Sequence, residues 1–156
     1  MLTESAEDYL ETIYRLAESQ GYVRAVEVAE ALGVGSSSVT RMVRRLYEAG
    51  FIRYAKYRNI ALTPQGRKYG RFLVWRDRTL RKFLRLLRTE TEGQGQAEGI
   101  EHYVTPPTMG LFRNLLEYFS ARPDALREVR DRQQSPAYPE GEDLSELLAW
   151  ISQKDR

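Results

Sequence analysis

The sequence predicts a mainly α-helical protein, an N-terminal winged helix-turn-helix followed by an all-helical dimerisation domain. Three observations predict it. Apolar residues recur at i, i+3 and i+4 over most of the chain, the signature of amphipathic helices. Two helical segments close together around Gly33 run directly into an aromatic and β-branched stretch with a polar centre at 56–59. The charge is also segregated. Residues 36–88 hold fifteen Lys/Arg against two acidic residues, while 1–35 and 89–156 are both net acidic, so the formal +2 conceals a strongly basic middle. Such a segment is the electrostatic footprint of a polyanionic partner, because a merely solvated helix face mixes both signs.

Composition bounds the rest. At 156 residues, 42% hydrophobic and 29% charged, the chain can build one domain or two small ones sharing a core. No apolar run approaches ~18–20 residues, so no membrane span is expected. The start, MLTESAEDYLETIY, lacks the basic-then-apolar pattern of a secretory signal. There is no cysteine, which excludes disulfides, thiolate metal sites and cysteine nucleophiles and suits a reducing cytoplasm.

Residues 4–19 read as a helix, with Ala6, Tyr9, Leu10, Ile13, Tyr14 and Ala17 on one stripe and Gly21 ending it. Residues 25–49 carry the helix-turn-helix. AVEVAEAL presents small Ala29 to the next helix, Gly33 makes the turn, Val34 plugs the core and Ser36 is the expected N-cap. In the second helix Val39, Met42, Val43 and Leu46 face inward, leaving Ser37, Thr40, Arg41, Arg44 and Arg45 outside. Short hydroxyl side chains near a helix N-terminus, with arginines further along, suit base edges and phosphates in a major groove. The stretch 51–62 then reads as a wing, whose tip offers Lys56 and Arg58 to the backbone or the adjacent minor groove.

Thr63 and Pro64 open a long helix reaching about Leu87. Residues 89–96, TETEGQGQ, read as a polar loop, and 97–104 as a helix stopped by Pro106-Pro107. Residues 108–120 hold more apolar surface than one short helix needs, in Met109, Leu111, Phe112, Leu115, Leu116, Tyr118 and Phe119. A subunit interface is the expectation there, against cover by the long helix within the monomer. Residues 134–142 read as a linker and 143–154 as a short amphipathic helix.

The candidate chemistry lies at the flanks. Glu98-Gly99-Ile100-Glu101-His102 sets two carboxylates three residues apart beside the only histidine, and Asp8 and Glu11 repeat the carboxylate spacing. Residues three apart on a helix are neighbours. Converging carboxylates and imidazole make a plausible ligand set for a divalent first-row metal.

SAEDYLETIY, AEALGVGSSSVTRMVRRL, YAKYRNIALTPQG and EGIEH stand in the order and spacing of the metal-dependent repressors of the diphtheria toxin repressor family. Over residues 3–120 the chain most resembles the short manganese transport regulator branch, with no room for the SH3-like third domain of longer members. The resemblance implies a cytoplasmic homodimer that binds a double-stranded DNA operator when Mn(II) joins the DNA-binding and dimerisation parts, with one or two ions per subunit. It implies no enzymatic activity and no organic cofactor. Carried over by position, Asp8, Glu11, Glu98, Glu101 and His102 match metal ligands. Asp77 stands where those regulators have a histidine, so it is either a substitute ligand or a partner of Arg81, Arg76 or Arg78. The expected organisation is 1–63 for the DNA-binding domain, 64–134 for the long helix with the metal-binding and dimerisation domain, and 135–156 for a linker and terminal helix. Alternatives are a regulator of the same family answering iron or another divalent metal, and a winged-helix regulator answering an organic effector.

Overall fold

A computed structural model of the chain describes residues 2–54, 59–87 and 93–133. Seven helices and one hairpin run in the order α1 (Glu4–Gln20), α2 (Ala25–Leu32), α3 (Ser36–Glu48), β1 (Ile52–Tyr54), β2 (Ile60–Leu62), α4 (Pro64–Leu86), α5 (Gly93–Glu101), α6 (Pro106–Ala121) and α7 (Pro123–Gln133) among the described residues. The backbone divides into two compact units, residues 1–113 and 114–156. The expected linker at 134–142, the terminal helix at 143–154 and the wing-tip residues Lys56 and Arg58 lie outside the described residues.

In the first unit α1 is the hub. Thr3 caps its N-terminus by accepting from the Ala6 N–H, and Gly21 ends it in the left-handed conformation at φ 77°. Its stripe of Ala6, Tyr9, Leu10, Ile13, Tyr14 and Ala17 is buried against Val28, Val39, Val43, Leu46, Leu73 and Val74. The turn between α2 and α3 places Gly33 at φ 63°, with Val34 packed on the same core. The α3 N-cap is Gly35, not Ser36, because the Gly35 carbonyl accepts the first helical bonds from Ser38 and Val39. β1 and β2 pair antiparallel with Ile52 opposite Leu62. Val23, just after α1, exchanges both backbone hydrogen bonds with Ile60, so the root of the wing is tied to the α1–α2 connection.

Two glycines let α4 lie close to this core. A Cβ on Gly66 would fall 1.8 Å from the Phe51 carbonyl oxygen, and one on Gly70 2.7 Å from Tyr14 Cβ. The same approach brings α1 and the middle of α4 side by side. Beyond that point Leu80 of α4, Ala97 of α5 and Met109 of α6 bury one another in a second, smaller cluster.

That second cluster explains where the C-terminal elements differ from expectation. Gly93–Gln96, read as loop, are helical: Ala97 is fully buried, and packing of that kind outweighs the poor intrinsic propensity of a Gly-rich turn. The helix ends at Glu101, and Pro106 opens the next helix where it was expected to stop the last one. On α6, Met109 is buried within the chain, while Leu111, Leu115 and Tyr118 stay exposed at i, i+4 and i+7. In the second unit, α7 falls on residues for which periodicity predicted no element. Pro123 and Asp124 start it, and the pairs Asp124–Arg127 and Glu128–Arg132 run along it.

Candidate metal centre and nucleic-acid interface

Three elements of the first unit supply the centre. On α1, Glu7, Glu11 and Arg15 follow one another at spacings of four and Asp8 lies three before Glu11, so these side chains border one strip of helix surface. The middle of α4 faces that strip with Arg76 and Asp77, and Arg81 follows one turn on. The end of α5 brings Glu98 and Glu101, and the turn after it His102.

Asp8, Glu101 and His102 converge. Each offers one ligand atom, and the three atoms lie within 4.8 Å of one another. His102 Nε2 stands 3.2 Å from Asp8 Oδ1 and 3.9 Å from Glu101 Oε1. Glu101 is 4% exposed, and among the described residues its Oε2 has no hydrogen-bond partner, with Arg76 Nε 3.9 Å away. Burial raises its pKa to about 7, with the nearby negative charge of Glu11 adding to the effect. Burial likewise raises Asp8, although His102 partly offsets it. A buried carboxylate oxygen without a donor, beside a second carboxylate and an imidazole nitrogen, is a site short of positive charge. The N/O donor set, free of thiolate, fits a divalent cation.

A second layer orients this set. Glu7, buried on α1, accepts from the Tyr69 hydroxyl at 2.6 Å and pairs with Arg76 Nη2 at 2.9 Å. Its Oε2 also lies 2.9 Å from His102 Nδ1. Arg76 Nη2 is 3.2 Å from the same ring nitrogen; the Glu7 carboxylate can only accept, so in the tautomer with a proton on Nδ1, Glu7 Oε2 is the acceptor both donors share. Burial pushes the Glu7 pKa up, and its bonds to Tyr69, His102 and Arg76 overcome that, leaving it below the ordinary value. With Nδ1–H given to Glu7, the free lone pair of His102 is on Nε2, facing Asp8 and Glu101. Burial and the Glu7 bond raise the Tyr69 hydroxyl to about 12, so it remains a donor.

The remaining acidic residues are held differently. Arg15 Nη2 reaches Asp77 Oδ2 at 2.7 Å and also pairs with Glu11 Oε1. Arg81 pairs through Nε with Asp77 Oδ1 and through Nη2 with Glu98 Oε1 at 3.2 Å. Glu11, Asp77 and Glu98 therefore border the convergent trio and open onto the same cleft, which Asp8, Glu101 and His102 also line. Of the two alternatives for Asp77, pairing with Arg81 is present, and Arg15 is a further partner.

The opposite role falls to α3. Ser37, Thr40, Arg41, Arg44 and Arg45 are all exposed, while Val39, Met42, Val43 and Leu46 are buried, so the helix turns its polar face outward. Thr40 Oγ1 donates to the Ser36 carbonyl, and Arg44 pairs with exposed Glu48 at 2.8 Å.

The chain matches two families in tandem: residues 1–60 match the Iron dependent repressor, N-terminal DNA binding domain, and 63–129 the Iron dependent repressor, metal binding and dimerisation domain. Among characterised proteins it is 44% identical over 136 residues to the HTH-type transcriptional regulator MntR of Geobacillus kaustophilus (strain HTA426), covering 85% of this chain and 96% of that one. The chain belongs to the iron-dependent repressor family. It is a metal-dependent, DNA-binding transcriptional regulator. Among solved structures it is similar to the manganese regulator SloR, at TM-score 0.66 and 27% identity over 75% of this chain and 55% of the other. It is also similar to a manganese-dependent transcriptional repressor in complex with manganese, at TM-score 0.61 and 31% identity over 72% of this chain and 53% of the other. The chain thus spans about half the length of those two solved chains.

Within this family member, Glu7, Tyr69 and Arg15 shape the centre without having been singled out from the sequence, and Arg76 and Arg81, named there only as possible partners of Asp77, also hold Glu7 and Glu98. A signal was available for two of them. Glu7 lies three residues before Leu10 and seven before Tyr14, and Arg76 three after Leu73 and four before Leu80, so both are charges on a buried stripe. A charge there requires a buried partner.

Proposed function

We propose that the chain is a cytoplasmic, homodimeric, manganese-responsive repressor, without enzymatic activity or organic cofactor, that holds Mn²⁺ at Asp8, Glu101 and His102. The observation that carries this reading is the convergence of three ligand atoms, from Asp8 on α1 and from Glu101 and His102 at the end of α5, within 4.8 Å of one another, with Glu101 buried. Two carboxylates and one imidazole, with no sulfur, suit an ion as hard as Mn²⁺. The relatives named for manganese regulation favour the same ion.

A bound divalent cation supplies the positive charge that Asp8 and Glu101 lack. The chain's own residues do the rest. Asp8 belongs to the helix on which the helix-turn-helix packs, whereas Glu101 and His102 belong to the segment after α4. Without compensation the carboxylates repel, and α1 is held less firmly to the α5 end. Glu7 and Arg76 keep the imidazole turned toward the site. In a homodimer formed in part through Leu111, Leu115 and Tyr118, the placement of α1 sets the separation of the two α3 helices. That separation must match about one DNA turn, ~34 Å, for Ser37, Thr40, Arg41, Arg44 and Arg45, with Lys56 and Arg58 at the wing, to engage both half-sites. Metal and DNA binding are then coupled.

The test selects a duplex from a random library with the full chain and MnCl₂. Its affinity is then measured with Mn²⁺ and with a chelator at one salt concentration, since phosphate contacts make affinity salt-dependent. A tightening of ~5–150-fold is expected. Equal affinity in both conditions overturns the proposal, and Fe²⁺, Co²⁺ and Zn²⁺ in the same assay test the choice of ion.

A further inference from the structure

The carboxylates around the cleft fall into two groups with different charge balance. Glu7, Asp8 and Glu101 face one guanidinium, that of Arg76, which leaves a formal −2 when all three carboxylates are ionised. Glu11, Asp77 and Glu98 face two guanidiniums, those of Arg15 and Arg81, which leaves −1. One divalent cation neutralises the first group and overcompensates the second.

The hydrogen bonding points the same way. Both carboxylate oxygens of Asp77 are taken, Oδ2 by Arg15 and Oδ1 by Arg81. Its side chain is 7% exposed, so breaking those pairs strands a desolvated charge. Among the described residues, the carboxylate oxygen that burial leaves without a donor belongs to Glu101, in the other group. The two arginines also tie separate helices together: Arg15 of α1 grips α4 through Asp77, and Arg81 of α4 grips α5 through Glu98.

We propose that Arg15 and Arg81 are built-in counter-ions of Glu11, Asp77 and Glu98, so that the cleft takes a single divalent cation, at Asp8, Glu101 and His102. The inference rests on the metal-responsive reading above and adds the ion count and the residues that set it. An arginine is always charged and presents a planar fork that matches carboxylates, so its clamp is independent of metal supply. The arginines thereby fix one side of the α1–α4–α5 junction permanently and leave the other side to the ion.

Equilibrium dialysis of the full chain against MnCl₂, with protein-bound manganese measured by atomic emission, tests this. Wild type is expected to bind about one equivalent per chain. R15Q/R81Q leaves three carboxylates uncompensated and is expected to gain a second, weaker equivalent, whereas R15K/R81K keeps the charge and stays at one. Two equivalents in wild type, with DNA binding still tightened by Mn²⁺, overturn the counter-ion assignment alone. Zero equivalents overturn it together with the metal-responsive reading. One equivalent in a folded R15Q/R81Q, judged by circular dichroism, also overturns it. If that variant does not fold, R81Q alone replaces it, and the wild-type count decides in either case.

Discussion

The two sides of the acidic cleft are built from the same residue type and differ in what answers the charge. On one side, Glu11, Asp77 and Glu98 are met by arginines of their own or a neighbouring helix, and the pairs close among themselves. On the other, Glu101 is as deeply buried as Asp77, yet one of its oxygens has no donor, and its nearest cationic neighbour, Arg76 Nε, lies 3.9 Å away and is also unpartnered. Counting carboxylates therefore misjudges a metal site. What matters is how many remain uncompensated after the protein's own cations have been assigned. A carboxylate with a good guanidinium partner is structure, and one without is a vacancy for a cation.

The comparison can be broken at three points. The largest effect is expected from Glu101→Gln, which should weaken Mn²⁺ binding by at least ~100-fold in calorimetric titration, more than loss of an outer-layer partner costs. Glu98→Gln, which alters an exposed residue already paired with Arg81, should cost only a few-fold. Equal losses would erase the distinction between the two sides. Next in size is Glu7→Gln. It removes the charge that holds His102 Nδ1–H and replaces one of the two accepting oxygens by an amide donor, so Mn²⁺ affinity should fall ~10–100-fold. Affinity for DNA at saturating Mn²⁺ should change little, and an anisotropy titration separates the two. The smallest effect is expected from Asp77→Asn, which should lower the chelator-treated protein's stability to urea by ~1–3 kcal/mol, the scale of hydrogen bonds to a charged group. A loss of Mn²⁺ affinity comparable to that of Glu101→Gln would place Asp77 among the ligands.

Much of the molecule was legible beforehand. The stripes of α1 and α3, the Gly33 turn, the short hairpin and the Thr63–Pro64 start of α4 stand where periodicity and turn chemistry put them, because each is decided by residues within a few positions of one another. The resemblance to the metal-dependent repressors is borne out by the family matches. The C-terminal helices were less legible. Gly93–Gln96 become helical because Ala97 packs on Leu80 and Met109, a contact no local pattern records. Pro106-Pro107 can end one helix or begin another, and only the chain's path chooses. α7 has a thin apolar stripe and is read more easily from its end charges than from its core.

By itself, the sequence determined the helical scaffold, the basic middle that marks a DNA-facing segment, and the presence of two acidic pairs with one histidine. Tertiary structure decided which acid meets which cation. Tyr69 lies 62 residues from Glu7, and Asp77 lies 62 from Arg15, while His102 lies 95 from Glu7. Those distances in the chain are closed by packing α1 along α4, with Gly70 permitting the approach to Tyr14, and by returning the turn after α5 to α1. Pairing of buried charges depends on separations of a few ångströms in space, and spacing along a chain carries no such information beyond a helical turn.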